Sequence, residues 1–347
     1  GGLCIRCRAQ PDLNLHLYST SPLIGLRTSL TIKAGQSVHL LLCWRQGSGH
    51  APGFDEAALR RDTVAVWRRW LQCLDYHGPQ EALVRRSAIT IKLLDHFENG
   101  AIVAAPTSSL PELIGGERNW DYRYAWVRDA AFSVYALHRI GLSHEAAGFL
   151  AWVLDAVERD GEPRVMYDLD GRMPPEERFD SGLEGYRRSK PVRWGNAAAE
   201  QHQHDVYGEI LDCAYQWAAH HGTTSERVWS RLLKLVDAAA GAWRKSDHGI
   251  WEVRTCGRPF TYSAAMCQVA LDRAARMAER VRSPGPVEAW KRTAKEIQNA
   301  ILEEAWDPKM QSLTEHLGGG GLDASLLTLP LRRVVSANHP KMVATCR

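Results

Sequence analysis

Apolar positions alternate at the start of the chain and then change rhythm. Residues 13–18 (Leu-Asn-Leu-His-Leu-Tyr) run with period two, and residues 26–32 and 37–44 follow as further strands. Residues 33–36 (Lys-Ala-Gly-Gln) make a four-residue hairpin loop between the last two. Three strands bury too little on their own, so this stretch reads as part of a larger sheet. Beyond residue 53 the period becomes that of a helix, with predicted helices over 57–74 and 81–97.

Long one-faced helices continue from there. Val206, Ile210, Cys213 and Trp217 form one stripe; Val228, Leu232, Leu235, Ala239 and Ala242 form the next. Between them Gly222-Thr223-Thr224-Ser225 stops one helix and caps its successor. Ser283-Pro284-Gly285-Pro286 breaks the chain again before Val287, Trp290, Ala294, Ile297 and Ile301. Short connections imply antiparallel neighbours. Strand signals nearly vanish after residue 105 and no fixed-length repeat is present, so the pattern predicts helical hairpins around a toroid.

Composition narrows the class. The 347 residues suit two domains, with 45% apolar and 24% charged residues, the balance of a globular chain. A net charge of +3 with scattered Lys and Arg gives no nucleic-acid stripe, and no apolar run reaches membrane-spanning length. Eight Cys without scaffold rhythm fit reduced thiols and a cytoplasmic setting. Cys4-x-x-Cys7 has metal or redox spacing but no second pair, and His202 and His204, two apart, face different ways on a helix. Neither metal nor cofactor is expected. The start at Gly1-Gly2-Leu3-Cys4 suggests a chain taken from inside a longer protein.

Thirteen Trp against six Phe point elsewhere, because flat indole faces suit the C–H faces of sugar rings. Residues 115–129 hold three Arg, two Asp, two Trp and two Tyr, a mixture suited either to a polyhydroxylated ligand or to an Arg–Asp network at a helix start. Residues 184–196 form a basic, aromatic loop kinked by Pro191 and Gly195, either ligand-binding or solvated. In residues 246–254 Glu252 sits beside Trp251 with a cation two residues on. A carboxyl held against an apolar ring keeps its proton more tightly, as a general acid needs.

Together these loops resemble glycoside hydrolase family 15, the glucoamylase and bacterial trehalase group. The likeness rests on residues 119–124 (Asn-Trp-Asp-Tyr-Arg-Tyr), 126–129 (Trp-Val-Arg-Asp), 191–196 (Pro-Val-Arg-Trp-Gly-Asn), 249–252 (Gly-Ile-Trp-Glu) and 322–327 (Leu-Asp-Ala-Ser-Leu-Leu). It implies a mainly α fold: the end of a β-sandwich over residues 1–50, a linker and first helices over 51–98, and roughly the first half of an (α/α)6 barrel over 99–347. It also implies inverting hydrolysis of an α-glucoside (trehalose, a maltooligosaccharide or starch) from the non-reducing end. Arg128 and Asp129 would grip the terminal glucose, with Tyr122, Trp126, Trp120, Trp251 and Arg193 around it and Glu252 as the acid. The family's base is a second Glu in a late barrel loop, for which these residues hold no counterpart. A half barrel is expected to expose apolar stripes and to need completion, including by another copy. Two other functions share this plan. One is an inverting α-glucoside phosphorylase, with Arg187, Arg188, Lys190 and Arg193 as a phosphate cradle. The other is an inactive glucan-binding remnant.

Overall fold

The computed structural model describes residues 2–6, 13–22, 27–46 and 55–347. The chain divides into two compact units, one ending at Gln72 and the other running Cys73–Arg347. In the first, strands β1 (Gly2–Arg6), β2 (Leu13–Ser19) and β3 (Leu40–Gln46) form an antiparallel sheet with β2 at its centre. Helix α1 (Glu56–Leu71) belongs to the same unit and is capped by Asp55, whose carboxylate accepts the Ala58 N–H at 3.0 Å.

The strand predicted over 26–32 is not formed. Residues 27–32 join no ladder among the described residues: Leu30 and Ile32 stay exposed, so no buried face holds a strand there; Leu26 lies outside the described residues. The turn at 33–36 is present, with Gln36 N–H donating to the Lys33 carbonyl, but β3 begins later than expected, at Leu40. Of the Cys4-x-x-Cys7 spacing, Cys7 falls outside the described residues.

The second unit starts with α2 (Glu81–Lys92), which stops short of the predicted Phe97. There the chain turns back: His96 N–H donates to the Ala101 carbonyl around Gly100, leaving Phe97 exposed. Strand β4 (Ala125–Trp126) leads straight into α3 (Val127–Arg139), followed by α4 (His144–Asp160). Strand β5 (Met166–Tyr167) pairs with β4, and β6 (Arg178–Asp180) pairs with β7 (Val192–Trp194). Two further helical hairpins follow: α5 (Asp205–His221) with α6 (Glu226–Ala242), then α7 (Thr261–Val281) with α8 (Val287–Glu304). A small ribbon of β8 (Trp306–Asp307) and β9 (Ser312–Leu313) and the short helix α9 (Pro340–Thr345) end the unit.

Packing sorts these helices into two layers. Helices α3, α5 and α7 lie side by side, and α7 is buried along most of its length. Helices α6 and α8 keep the one-sided burial their stripes predict; α6 buries Leu232, Leu235, Ala239 and Ala242. The α5–α7 approach depends on Gly208, where a Cβ would come within 2.3 Å of the Met266 carbonyl oxygen. Ser225 caps α6 as expected, accepting the Val228 N–H at 3.3 Å. Among the described residues, no helix is long and apolar enough to cross a membrane.

Between the inner helices runs a buried ion cluster. Arg332 donates to both oxygens of Glu209 at 2.8 Å and to Asp212 at 2.8 Å, while Arg273 donates to the other Asp212 oxygen at 2.6 Å. Charge this deep is tolerated only because every partner is matched.

Candidate active site

Strand β4 delivers its successors to the first turn of α3, so Arg128 and Asp129 sit at a helix N-terminus. A carboxylate is favoured there by the helix dipole. Arg128 Nη1 donates to Gln203 Oε1 at 2.8 Å and to Asp205 Oδ2 at 3.0 Å, and its Nη2 lies 3.4 Å from Glu252 Oε1. Burial opposes the charge on Arg128, but Asp205, Asp129 and Glu252 more than offset it and keep the guanidinium cationic.

Glu252 sits on the turn between α6 and α7 with φ of +55°. A left-handed backbone costs a non-glycine residue about 1–3 kcal/mol, and such strain clusters where a side chain must be aimed. The turn is enforced from both sides. Gly249 also has positive φ (+61°) and lies against the Phe260 ring, where a Cβ would come within 3.0 Å of it. Gln201 Nε2 donates to the carbonyls of Glu252 and Val253, each at 3.3 Å. Asp247 fastens the base of the loop, accepting from Ser263 Oγ at 2.6 Å and from the His204 N–H at 2.8 Å. Burial with few compensating partners pushes the Asp247 carboxyl up to about 7.

The Glu252 carboxyl is itself raised above its ordinary value. Burial is the main cause and the nearby Asp129 adds to it; Arg128, the Trp126 N–H and Gln203 pull the other way. The indole that touches it is therefore Trp126, donating Nε1–H to Oε1 at 2.6 Å, and not the adjacent Trp251 expected from sequence. Trp251 is 60% exposed and donates instead to Asp323 Oδ1 at 2.9 Å. Positive φ at Glu252 turns the two neighbouring side chains apart.

A cavity of about 910 Å3 opens over these groups, enough for a ligand larger than one sugar ring. Tyr122, Trp126, Arg128, Asp129, Trp251, Glu252 and Trp120 all line it. Tyr122 and Trp126 meet edge to face at 5.6 Å between ring centres. Arg193 is not in the lining. It is buried behind the wall, donating to the carbonyls of Glu117 at 2.7 Å and Asn119 at 2.9 Å, and stacking on Trp120. In the basic loop Arg187, Arg188 and Lys190 are exposed and lie outside the cavity lining, while Arg193 is buried.

Asp121, fully buried, ties the first two loops together. It accepts from Arg123 Nε at 2.8 Å and Nη2 at 2.7 Å, and from the Gly195 N–H at 3.1 Å. The Arg–Asp network and the sugar-sized cavity coexist in one segment. Reading the sequence missed Gln203, Asp205 and Glu177, which lie far along the chain from the groups they hold. Gln201, Asp247 and Asp323 fall in or beside segments already singled out, but their pairings were not legible. Among the described residues, no group of three or more His, Cys, Asp or Glu could hold a metal ion.

The profile of the Glycosyl hydrolases family 15 matches residues 78–347. The chain belongs to this family. It is 38% identical over 356 residues to a trehalase of Mycobacterium tuberculosis, covering 99% of this chain and 52% of that protein. It is also 38% identical over 285 residues to a trehalase of Thermoplasma volcanium, covering 82% and 46%. The chain thus spans about half the length of the curated relatives it matches. A bacterial glucoamylase complexed with acarbose shares the fold, with a TM-score of 0.71, 15% identity, and coverage of 97% of this chain and 56% of that one. The two-layered helical hairpins are accordingly those of the family 15 (α/α)6 barrel.

Proposed function

We propose that this family 15 chain carries the glucose-binding cup and the general acid of an inverting α-glucoside hydrolase of the trehalase type. The observation carrying the reading is the setting of Glu252: a carboxyl with raised proton affinity at a cavity wall, its Oε1 held by the Trp126 N–H. Oε1 accepts from Trp126 and lies in reach of Arg128, so the acidic proton falls on Oε2. Protonation of the glycosidic oxygen from Oε2 leaves an anion that the same N–H and guanidinium then stabilise. In an inverting site a second carboxylate activates water on the opposite ring face. The family resemblance assigns that base to a late barrel loop.

Arg128 and Asp129 would take hydroxyls of the glucose being cleaved, with Tyr122 and Trp126 as apolar walls. Trehalose is the preferred substrate on the strength of the trehalase relatives. The test is glucose release from trehalose, maltose and starch, with the product anomer followed by polarimetry. Trehalose should be cleaved best, with β-glucose formed from the attacked unit. Glu252→Gln should lower kcat by roughly 10²–10⁴-fold. Unaltered turnover in that variant would refute the acid.

A further inference from the structure

Arg254, two residues beyond the acid on the same loop, lines the cavity and is 45% exposed at its side chain. Its position is over-determined. Glu177 engages it through two bonds, Nη1 to Oε1 at 3.3 Å and Nη2 to Oε2 at 3.1 Å. Its guanidinium lies 4.4 Å from the centre of the Trp120 ring, which carries Arg193 as well, at 4.6 Å. Glu177 pairs with that second guanidinium too, at 3.4 Å, and accepts the Ala197 N–H at 3.2 Å. An arginine laid on an indole and gripped by a carboxylate loses little freedom on meeting a ligand, so the hydrogen bonds it offers are inexpensive.

We propose that Arg254 is the hydrogen-bond donor for the leaving sugar, held in place by Trp120 and Glu177 as positioning residues. The proposal rests on the reading of Glu252 as the acid. Glu252 reaches the bond to be broken, and Arg128 and Asp129 hold one side of it. Arg254 lines the same cavity as these groups but is held by different partners, Glu177 and Trp120, and lies two residues past the acid. With Glu177 taking two of five N–H groups, others remain for hydroxyl oxygens in the cavity. Glu177 also decides the ligand chemistry. Burial works against its charge, but Arg254, the Ala197 N–H and Arg193 hold its carboxyl below the ordinary value. An ionised Glu177, shared with Arg193, offsets part of the charge of Arg254, and the free N–H groups of the fork suit hydroxyl oxygens. Trp120 accordingly acts as the backing of Arg254, a different task from the sugar-stacking expected of it.

The test compares two substrates in the whole protein: trehalose, whose leaving group is a sugar, and α-glucosyl fluoride, whose leaving group has no hydroxyls. Arg254→Met should lower kcat/KM for trehalose by roughly ten- to a hundredfold more than for the fluoride. Arg254→Lys, which keeps the charge and loses the fork, should show the same selectivity at smaller size and serves if the Met variant misfolds. Equal losses on both substrates, or no loss on trehalose, would overturn the proposal while leaving Glu252 intact. A wild-type protein silent toward both substrates would instead overturn the hydrolase reading, and this one with it.

Discussion

The indole N–H of Trp126 lies 2.6 Å from Oε1 of Glu252, joining residues 126 positions apart in the chain. A bond to the ionised form of a carboxyl lowers its proton affinity. The contact therefore restrains a group that burial alone would leave reluctant to ionise.

Trp126→Phe should release that restraint. The proton affinity of Glu252 then rises further, and an acid that keeps its proton longer stays active to higher pH. The basic limb of the kcat/KM profile should move upward, while kcat falls by roughly tenfold because the departing anion loses a partner. Movement of the acidic limb instead would mark Glu252 as a base. The measurement is a pH profile of trehalose hydrolysis for both proteins.

Asp247 offers a stability test. Its carboxyl is lifted by burial and by the charge of Asp205 to about 7 in the folded chain, against 3.8 for the free group. The folded state thus binds the proton more tightly. The stabilisation is fully present below the unfolded pKa and is lost as pH rises through 7. Asp247→Asn mimics the protonated form without titrating. Thermal melts should show the variant matching wild type below about pH 4 and exceeding it increasingly toward pH 8. A wild-type Tm that rises across that interval would contradict the argument.

The cluster around Arg332 should be costly to break from one side. Arg332→Met strands Glu209 without its cation, whereas Asp212 keeps Arg273. Losing one partner of a buried ion pair costs about 3–5 kcal/mol. Adding Glu209→Gln should recover part of this, because an amide is cheaper to bury than an unpaired carboxylate. Urea unfolding of the single and double variants measures both effects.

How much of this could be read in advance depended on distance along the chain. The helical stripes were legible because they are local: Val206, Ile210 and Cys213, like Trp290, Ala294, Ile297 and Ile301, are buried as their spacing requires. The loops likewise declared themselves through residues unsuited to a core. Pairings across the fold did not. The neighbour of Glu252 in sequence is Trp251, yet a left-handed backbone angle sends that indole to Asp323 and leaves the carboxyl to Trp126. Arg193 reads from sequence as a group beside the sugar, because carbonyl acceptors such as those of Glu117 and Asn119 carry no side-chain signature. The strand expected at 26–32 failed for a related reason. Apolar spacing marks a segment able to pair, but Leu30 and Ile32 find no face to bury against, and the local pattern does not reveal that.

One guanidinium, Arg128, is surrounded by three carboxylates, Asp129, Asp205 and Glu252. Were all three ionised, the cup would carry a surplus of negative charge with no cation to answer it. Retaining one proton on Glu252 halves that surplus. A sugar-shaped amine could do the same by bringing its own ammonium. Nitrogen-bearing glucose mimics should therefore bind more tightly than glucose, and increasingly so at pH values where Glu252 has given its proton away.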